Sequence, residues 1–177
     1  MSPVEIYGAD TPEKQRIALI VAQSIDAFLQ AGIAAIEREC NERRLAVMDY
    51  LGVLPPQRTL PEWGLPNITV EVAMQEANPA FVLADPPDPL RVFLTPNRHP
   101  WSRDAPMSYD PSGGIVYVHL PALPSEGSMP WFAWHEMLHA CGDLQFDGIV
   151  RHNKIGLDAV LKALTGQCPE VGVAPSV

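Results

Sequence analysis

The chain has 177 residues, a net charge of −9 at pH 7 and 19 prolines, most of them between residues 55 and 130. This length suits one domain, and no apolar run reaches the roughly 20 residues that a bilayer span requires. The N-terminus lacks the basic and apolar regions of a secretory signal, and the acidic balance argues against nucleic acid as a partner, because phosphate binding normally requires a basic face.

The N-terminal part, about residues 11–50, is predicted to be helical. Thr11 and Pro12 suit a helix start, and apolar residues then recur at helical spacing. One helix is expected from Pro12 to about Asp49, with Gly32 as a weak point. Its basic cluster is interspersed with glutamates and is interpreted as a solvated face; the cluster comprises Arg38, Arg43 and Arg44.

Three segments in the proline-rich region alternate apolar and polar residues and are predicted to be strands, at 67–74, 90–95 and 113–120. The last is opened by two glycines and closed by prolines, so we expect it to be the exposed edge of the sheet. A helix from about Pro130 to Cys141 follows, with Gly142 placed to end it. A loop and a closing helix, capped by Asn153 and ending near Leu164 before Gly166, complete an α+β layout with one small mixed sheet.

The sequence WHEMLH at residues 134–139 contains the motif with the clearest chemistry. On a helix, His135 and His139 lie one turn apart on the same face, where two imidazoles can bind one zinc ion. Glu136 is placed to lean over a metal-bound water, take its proton and pass that proton to a leaving amine. This division of roles is the reason for the His-Glu-x-x-His order. The alternative is a core helix with two hydrogen-bonded histidines and an incidental glutamate.

A catalytic zinc ion needs a third protein ligand, and three downstream residues are poor candidates. Gln145 stands where an elongated form of the motif has a histidine, but glutamine is a weak zinc ligand. Asp143 would require the helix to continue past its expected end. Asp158 has Lys154 and Lys162 at i−4 and i+4, which is typical of an exposed ion-pair row.

His152 is the preferred third ligand, and Asp147 is the next choice. His152 is the only histidine after the motif, and the twelve residues that separate it from His139 let the chain reverse and return. Asp147 is an oxygen ligand available on the same predicted loop. Both remain open at this point.

The segments HEMLHA at 135–140 and DGIVRHNKIGLDAVLKALTG at 147–166 resemble the SprT-like zinc metallopeptidases, a branch of the zincins. LPNITVEVAM and GGIVYVHLPAL are similar to the strands that this family places before its catalytic helix. The resemblance covers about residues 60–166. It implies a zincin-like fold, Zn²⁺ as cofactor, His135, His139 and His152 as ligands, and Glu136 as general base.

The sequence therefore predicts a single domain, 1–177, that hydrolyses peptide bonds of a protein or peptide substrate with zinc. Two alternatives are a non-catalytic structural or assembly protein that retains the fold, and a metal-dependent amidase acting on a non-peptide substrate. An oxyanion stabiliser would have to come from Tyr109, Tyr117 or His119, although packing roles are commoner for such residues. The odd, widely spaced cysteines Cys40, Cys141 and Cys168 predict an intracellular, reducing compartment.

Overall fold

The computed structural model describes residues 4–165, so Gly166, predicted to follow the last helix, and Cys168 lie outside the described residues. Within this range the chain has the predicted α+β fold. The α-helices are α1 (Pro12–Ala31), α2 (Ile33–Gly52), α3 (Val70–Ala77), α4 (Met129–Gly142) and α5 (Leu157–Thr165). The strands are β1 (Val4–Tyr7), β2 (Thr59–Leu60), β3 (Leu65–Thr69), β4 (Leu90–Thr95), β5 (Met107–Asp110) and β6 (Ile115–His119).

The described residues divide into two compact units, each built from two separate stretches of chain. The first unit comprises residues 4–33 and 84–143, and the second comprises residues 34–83 and 144–165. Among the described helices none is by itself long and apolar enough to cross a membrane, although α1 and α2 taken as a bent pair meet the limits of length and composition.

The first unit contains a four-stranded mixed sheet in the order β1-β4-β6-β5. β4 runs parallel to both β1 and β6, whereas β5 runs antiparallel to β6. Strands were predicted at 90–95 and 113–120 and both are confirmed, but the expectation that the second is the sheet edge is wrong. β6 lies between β4 and β5, and the edges are β1 and β5. These two four-residue strands were missed because neither shows a sustained apolar alternation.

The core of the first unit lies on one face of this sheet. Alternate residues of β4 and β6 are fully or almost fully buried there: Val92, Leu94, Val116 and Val118. α1 and α4 pack against each other and against the strands, and the Phe28 ring meets the Trp134 ring edge-on at 5.1 Å. Aromatic edge-to-face pairs of this kind add to the burial of their own apolar area. α4 is thereby held rigidly over the sheet.

The predicted single helix from Pro12 to about Asp49 is wrong, because the chain breaks at Gly32. This residue has φ 93° and ψ 134°, and its N–H still bonds to the carbonyl of Phe28 at the end of α1. A positive φ of this size favours glycine strongly over residues that carry a Cβ. α2 then begins at Ile33. Gly32, predicted to weaken one long helix, therefore separates two helices.

The predicted strand at 67–74 is also wrong, because only its beginning is extended. β3 ends at Thr69, whose hydroxyl accepts a hydrogen bond from the Val72 N–H at 3.3 Å and caps α3. Val70, Ala73 and Ala77 are buried at helical spacing of three and four. Alternating apolar residues fit either element over such a short distance, and the threonine cap favours the helix.

The chain after α4 is more helical than predicted. A 3₁₀-helix at Asp143–Phe146 replaces part of the expected loop, and a π-helix at Val150–Gly156 leads directly into α5. Asn153 therefore lies inside a helical segment and does not cap one. Gly148, with φ 100°, lies just before the π-helix.

The core of the second unit contains a buried ion pair. The Arg43 guanidinium and the Asp158 carboxylate are 2.5 Å apart, and their side chains are 3% and 0% exposed. The expected solvated face is therefore wrong for Arg43, and the expected exposed ion-pair row is wrong for Asp158. Lys154 is buried, and Lys162 binds Glu39 and Glu42 instead. Burial raises the pKa of Asp158 to about 6 although Arg43 opposes the shift.

Candidate metal centre

The helix that carries the motif is α4, and it was predicted at nearly these bounds. Its buried side is apolar and includes Ala133, Trp134, Met137, Leu138 and Cys141. Trp134 is thus a core anchor, and Cys141 is a buried thiol whose pKa burial raises to about 12. His135 and His139 lie outside this apolar stripe and are half-buried. The packing of one side of α4 therefore determines the direction in which the two histidines project.

The two imidazoles of the motif converge. Nε2 of His135 and Nε2 of His139 are 3.2 Å apart, and their ring planes are perpendicular with centroids separated by 4.7 Å. Two nitrogens bound at about 2.0–2.1 Å to one tetrahedral ion would be separated by about 3.4 Å. The observed separation is close to this value, so the pair fits a shared zinc ion without rearrangement of the helix.

Trp131 forms a wall beside His135. The two rings are almost parallel, with an interplanar angle of 8° and centroids 6.2 Å apart. Trp131 precedes His135 by four residues, so one turn of helix brings the rings together. This contact restricts the orientation of the imidazole. Sequence analysis could have found it from the same i, i+4 spacing that identified the histidines.

Glu136 is a buried acid without a protein partner. Its side chain is 5% exposed, and burial raises the pKa of its carboxyl group to about 8. Among the described residues, none donates a hydrogen bond to it and no charged side chain contributes to the shift. A carboxyl group that only supports the fold is usually hydrogen-bonded when buried.

His152 lies in the π-helix and is half-buried. Its Nδ1 is 2.6 Å from the side-chain oxygen of Asn153. Since a carboxamide oxygen only accepts hydrogen bonds, this contact places the proton on Nδ1. Metal-binding histidines are commonly oriented in this way by a neighbouring acceptor. The sequence pattern indicated a helix cap at Asn153 and therefore did not predict this contact.

The predicted histidine ligands are divided between the two compact units. His135 and His139 belong to the first unit, and His152 belongs to the second. The other suggested ligands have different surroundings. Asp147 is exposed, Asp158 is paired with Arg43, and Gln145 accepts a hydrogen bond from the Val82 N–H at 2.7 Å.

One suggested oxyanion stabiliser is already fully hydrogen-bonded. His119 is buried, its Nδ1 lies 2.9 Å from the carbonyl oxygen of Asn97, and its Nε2 lies 2.8 Å from the hydroxyl of Ser108. Tyr117 stacks on His119 and meets the ring of Phe93. These contacts belong to the sheet face opposite the buried valines of β6.

Comparisons of the chain with protein-family models, with curated proteins and with solved structures found no match.

Proposed function

We propose that this protein is a zinc-dependent peptidase with a zincin-like fold. His135, His139 and His152 bind the ion, and Glu136 acts as general base. The observation that carries the proposal is the convergence of the two motif Nε2 atoms to 3.2 Å on a helix that also buries an unpaired glutamate. The nitrogens of the three histidines form a donor set typical of catalytic zinc, with one position left for water.

The metal, when bound, acts as a Lewis acid that polarises a carbonyl and makes a water molecule acidic near neutral pH. Glu136, in its ionised form, takes the proton from the attacking water and delivers it to the nitrogen of the departing amine. Its burial excludes competing solvent from the carboxylate. Asn153 holds the Nδ1 proton of His152, and Trp131 restricts the ring of His135, so both ligands are oriented before the ion arrives.

A peptide substrate is favoured by the position of β5. This strand is an edge of the sheet and packs against α4. An extended peptide can add to such an edge by main-chain hydrogen bonds, which is a common mode of peptide recognition. The edge expected from sequence was β6, and β5 takes over that role in the proposal.

The first test measures zinc per chain by elemental mass spectrometry. We expect one zinc in the wild type and in Asp147→Asn, and a loss or strong weakening of binding in His152→Ala. The Asp147→Asn variant is the matched control because Asp147 was the next candidate ligand. Full zinc in His152→Ala, with loss in Asp147→Asn, would move the third ligand to Asp147.

The second test measures hydrolysis of labelled casein and of an unstructured peptide mixture by the zinc-loaded protein. We expect Glu136→Gln to retain zinc and to lose hydrolysis by at least 100-fold, because general-base catalysis typically contributes about 10²–10⁴-fold. Equal hydrolysis by Glu136→Gln would refute the assigned role. A zinc-loaded wild type that cleaves neither substrate would favour a structural role for the ion.

A further inference from the structure

A second candidate site lies on the other face of the first unit's sheet. Along β6, Val116 and Val118 face the core, so Tyr117 and His119 project from the opposite face. A cavity of about 490 Å³ opens there, and its lining includes Ser108, His119 and Trp101. This volume is within the range of small-molecule sites. None of the three histidines proposed as zinc ligands lines the cavity.

Within this cavity the hydrogen bonds of His119 determine its tautomer. Nδ1 is 2.9 Å from the carbonyl oxygen of Asn97, and a carbonyl only accepts, so Nδ1 carries the proton. Nε2 must then be the acceptor in its 2.8 Å contact with Ser108. The hydroxyl of Ser108 therefore donates its proton to an imidazole that a third group orients. This is the arrangement that activates a serine nucleophile.

His99 lines the same cavity and has the opposite tautomer. Its Nδ1 accepts hydrogen bonds from the backbone N–H groups of Trp101 at 3.2 Å and Ser102 at 3.0 Å. The proton therefore lies on Nε2, which is a donor. Burial, with a smaller contribution from His119, lowers the pKa of His99. The His99 and His119 ring centroids are 5.7 Å apart.

We propose that Ser108 and His119 are the nucleophile and general base of a second hydrolytic site, which takes small uncharged carboxylic esters. The aromatic side chains of Trp101 and Tyr117 provide an apolar wall for such a substrate. Trp101 is 90% exposed and lines this cavity. The Nε2–H of His99, fixed by the two backbone N–H groups that donate to Nδ1, is the donor available to the developing oxyanion.

The proposed reaction has two halves. In the first, Ser108 Oγ bonds to the ester carbonyl carbon while His119 Nε2 takes the hydroxyl proton. The bond from carbon to the alkoxy oxygen then breaks, and the proton passes to the departing alcohol. In the second, water gives a proton to Nε2 and the water oxygen bonds to the acyl carbon. The bond between the acyl carbon and Ser108 Oγ then breaks, Oγ takes the proton back from Nε2, and the carboxylic acid is released.

The test uses the full chain and a fluorophosphonate probe, with the labelled peptide identified by mass spectrometry. We expect the label on Ser108 in the wild type and in Glu136→Gln, with or without a chelator, and none in Ser108→Ala. Ser112→Ala is the matched control, because the exposed Ser112 hydroxyl bonds to Asp110 and not to a histidine. Absence of label on Ser108 in the wild type would overturn the proposal.

Hydrolysis of p-nitrophenyl acetate gives a second readout. We expect an initial burst in the wild type, no burst in Ser108→Ala, and a fall of at least 100-fold in the rate of His119→Gln. Circular dichroism establishes that each variant is folded, and His119→Asn replaces His119→Gln if the latter is not. If a folded His119 variant hydrolyses p-nitrophenyl acetate at the wild-type rate, His119 is not the general base. Because Glu136→Gln leaves this site intact, failure here and failure of the zinc peptidase are separately visible.

Discussion

At the scale of single residues, local spacing predicted the placement of the motif side chains on one helix more successfully than charge patterning predicted the surface. His135, Glu136 and His139 are related by one helical turn, and a short helix is enough to place them. Arg43 and Asp158 were assigned to solvated faces because each has neighbours of opposite charge in sequence. Their true partners are each other, about a hundred residues apart in the chain, and no local pattern contains that information.

The buried carboxylate of Asp158 predicts a pH dependence of stability. Its pKa is about 6 in the folded chain against 3.8 ordinarily, so between these values the folded state binds more protons than the unfolded state. The free energy of unfolding therefore falls as the pH rises through this window. We expect the wild type to lose about 2 kcal/mol relative to Asp158→Asn between pH 4 and pH 7.

Urea unfolding of both proteins at the two pH values measures this change. Asp49→Asn is the matched control, because Asp49 is an exposed acid on α2, and it should follow the wild type at both values. If the free energies of unfolding of the wild type and Asp158→Asn differ by the same amount at pH 4 and pH 7, Arg43 and Lys154 keep the carboxylate ionised at both values.

At the scale of elements, segments whose apolar pattern fits only a helix or only a strand were predicted correctly. A segment whose pattern fits both was not. β4 and β6 were recognised from alternating branched residues, and α4 from its apolar stripe. The segment at 67–74 alternates equally well, yet most of it forms α3 once Thr69 caps the chain. β5 was missed because MSYD has no apolar period, although it forms the edge on which peptide recognition depends in the proposal.

The break between α1 and α2 predicts a specific sensitivity at Gly32. Nothing lies within 4 Å of the position that a Cβ would occupy there, so only the backbone, with φ 93°, opposes a side chain. We expect Gly32→Ala to lower the free energy of unfolding by about 1–3 kcal/mol, the usual cost of a sparsely populated conformation. Gly127→Ala is the control.

Gly127 also has no neighbour within 4 Å of an added Cβ, and its φ lies outside the positive range. Its substitution by alanine should change the stability by less than about 0.5 kcal/mol. Denaturant unfolding of the two variants and of the wild type measures both changes in the free energy of unfolding. Equal stability of both variants would mean that the chain at Gly32 adjusts without cost.

At the scale of the whole molecule, the sequence predicted the class of fold and not the division of the chain. The order of predicted elements indicated an α+β protein, and the structure has one. The two compact units are assembled from alternating stretches that change at residues 33, 83 and 143. Arguments from local periodicity follow the chain in order and therefore cannot derive such an arrangement.

Zinc should stabilise the folded chain as a whole if the proposed site binds it. A ligand that binds only the folded state adds about 2.7 kcal/mol when its free concentration is 100 times the dissociation constant. We expect the melting temperature of the wild type to rise on adding zinc and to fall on adding a chelator. The double variant His135→Ala/His139→Ala should show neither change, and an equal response in that variant would place the ion elsewhere.

The buried cysteines have a practical consequence. Cys40 is fully buried and Cys141 is 5% exposed, and burial raises the pKa of each thiol to about 12. At neutral pH only about one thiol in 10⁵ is then ionised, and the thiolate is the form that alkylating reagents attack. Each thiol becomes reactive only when the surrounding structure opens. Cys141 belongs to the first unit and Cys40 to the second. The alkylation rates of the two cysteines, measured on separate peptides, would therefore report the local opening rate of each unit independently.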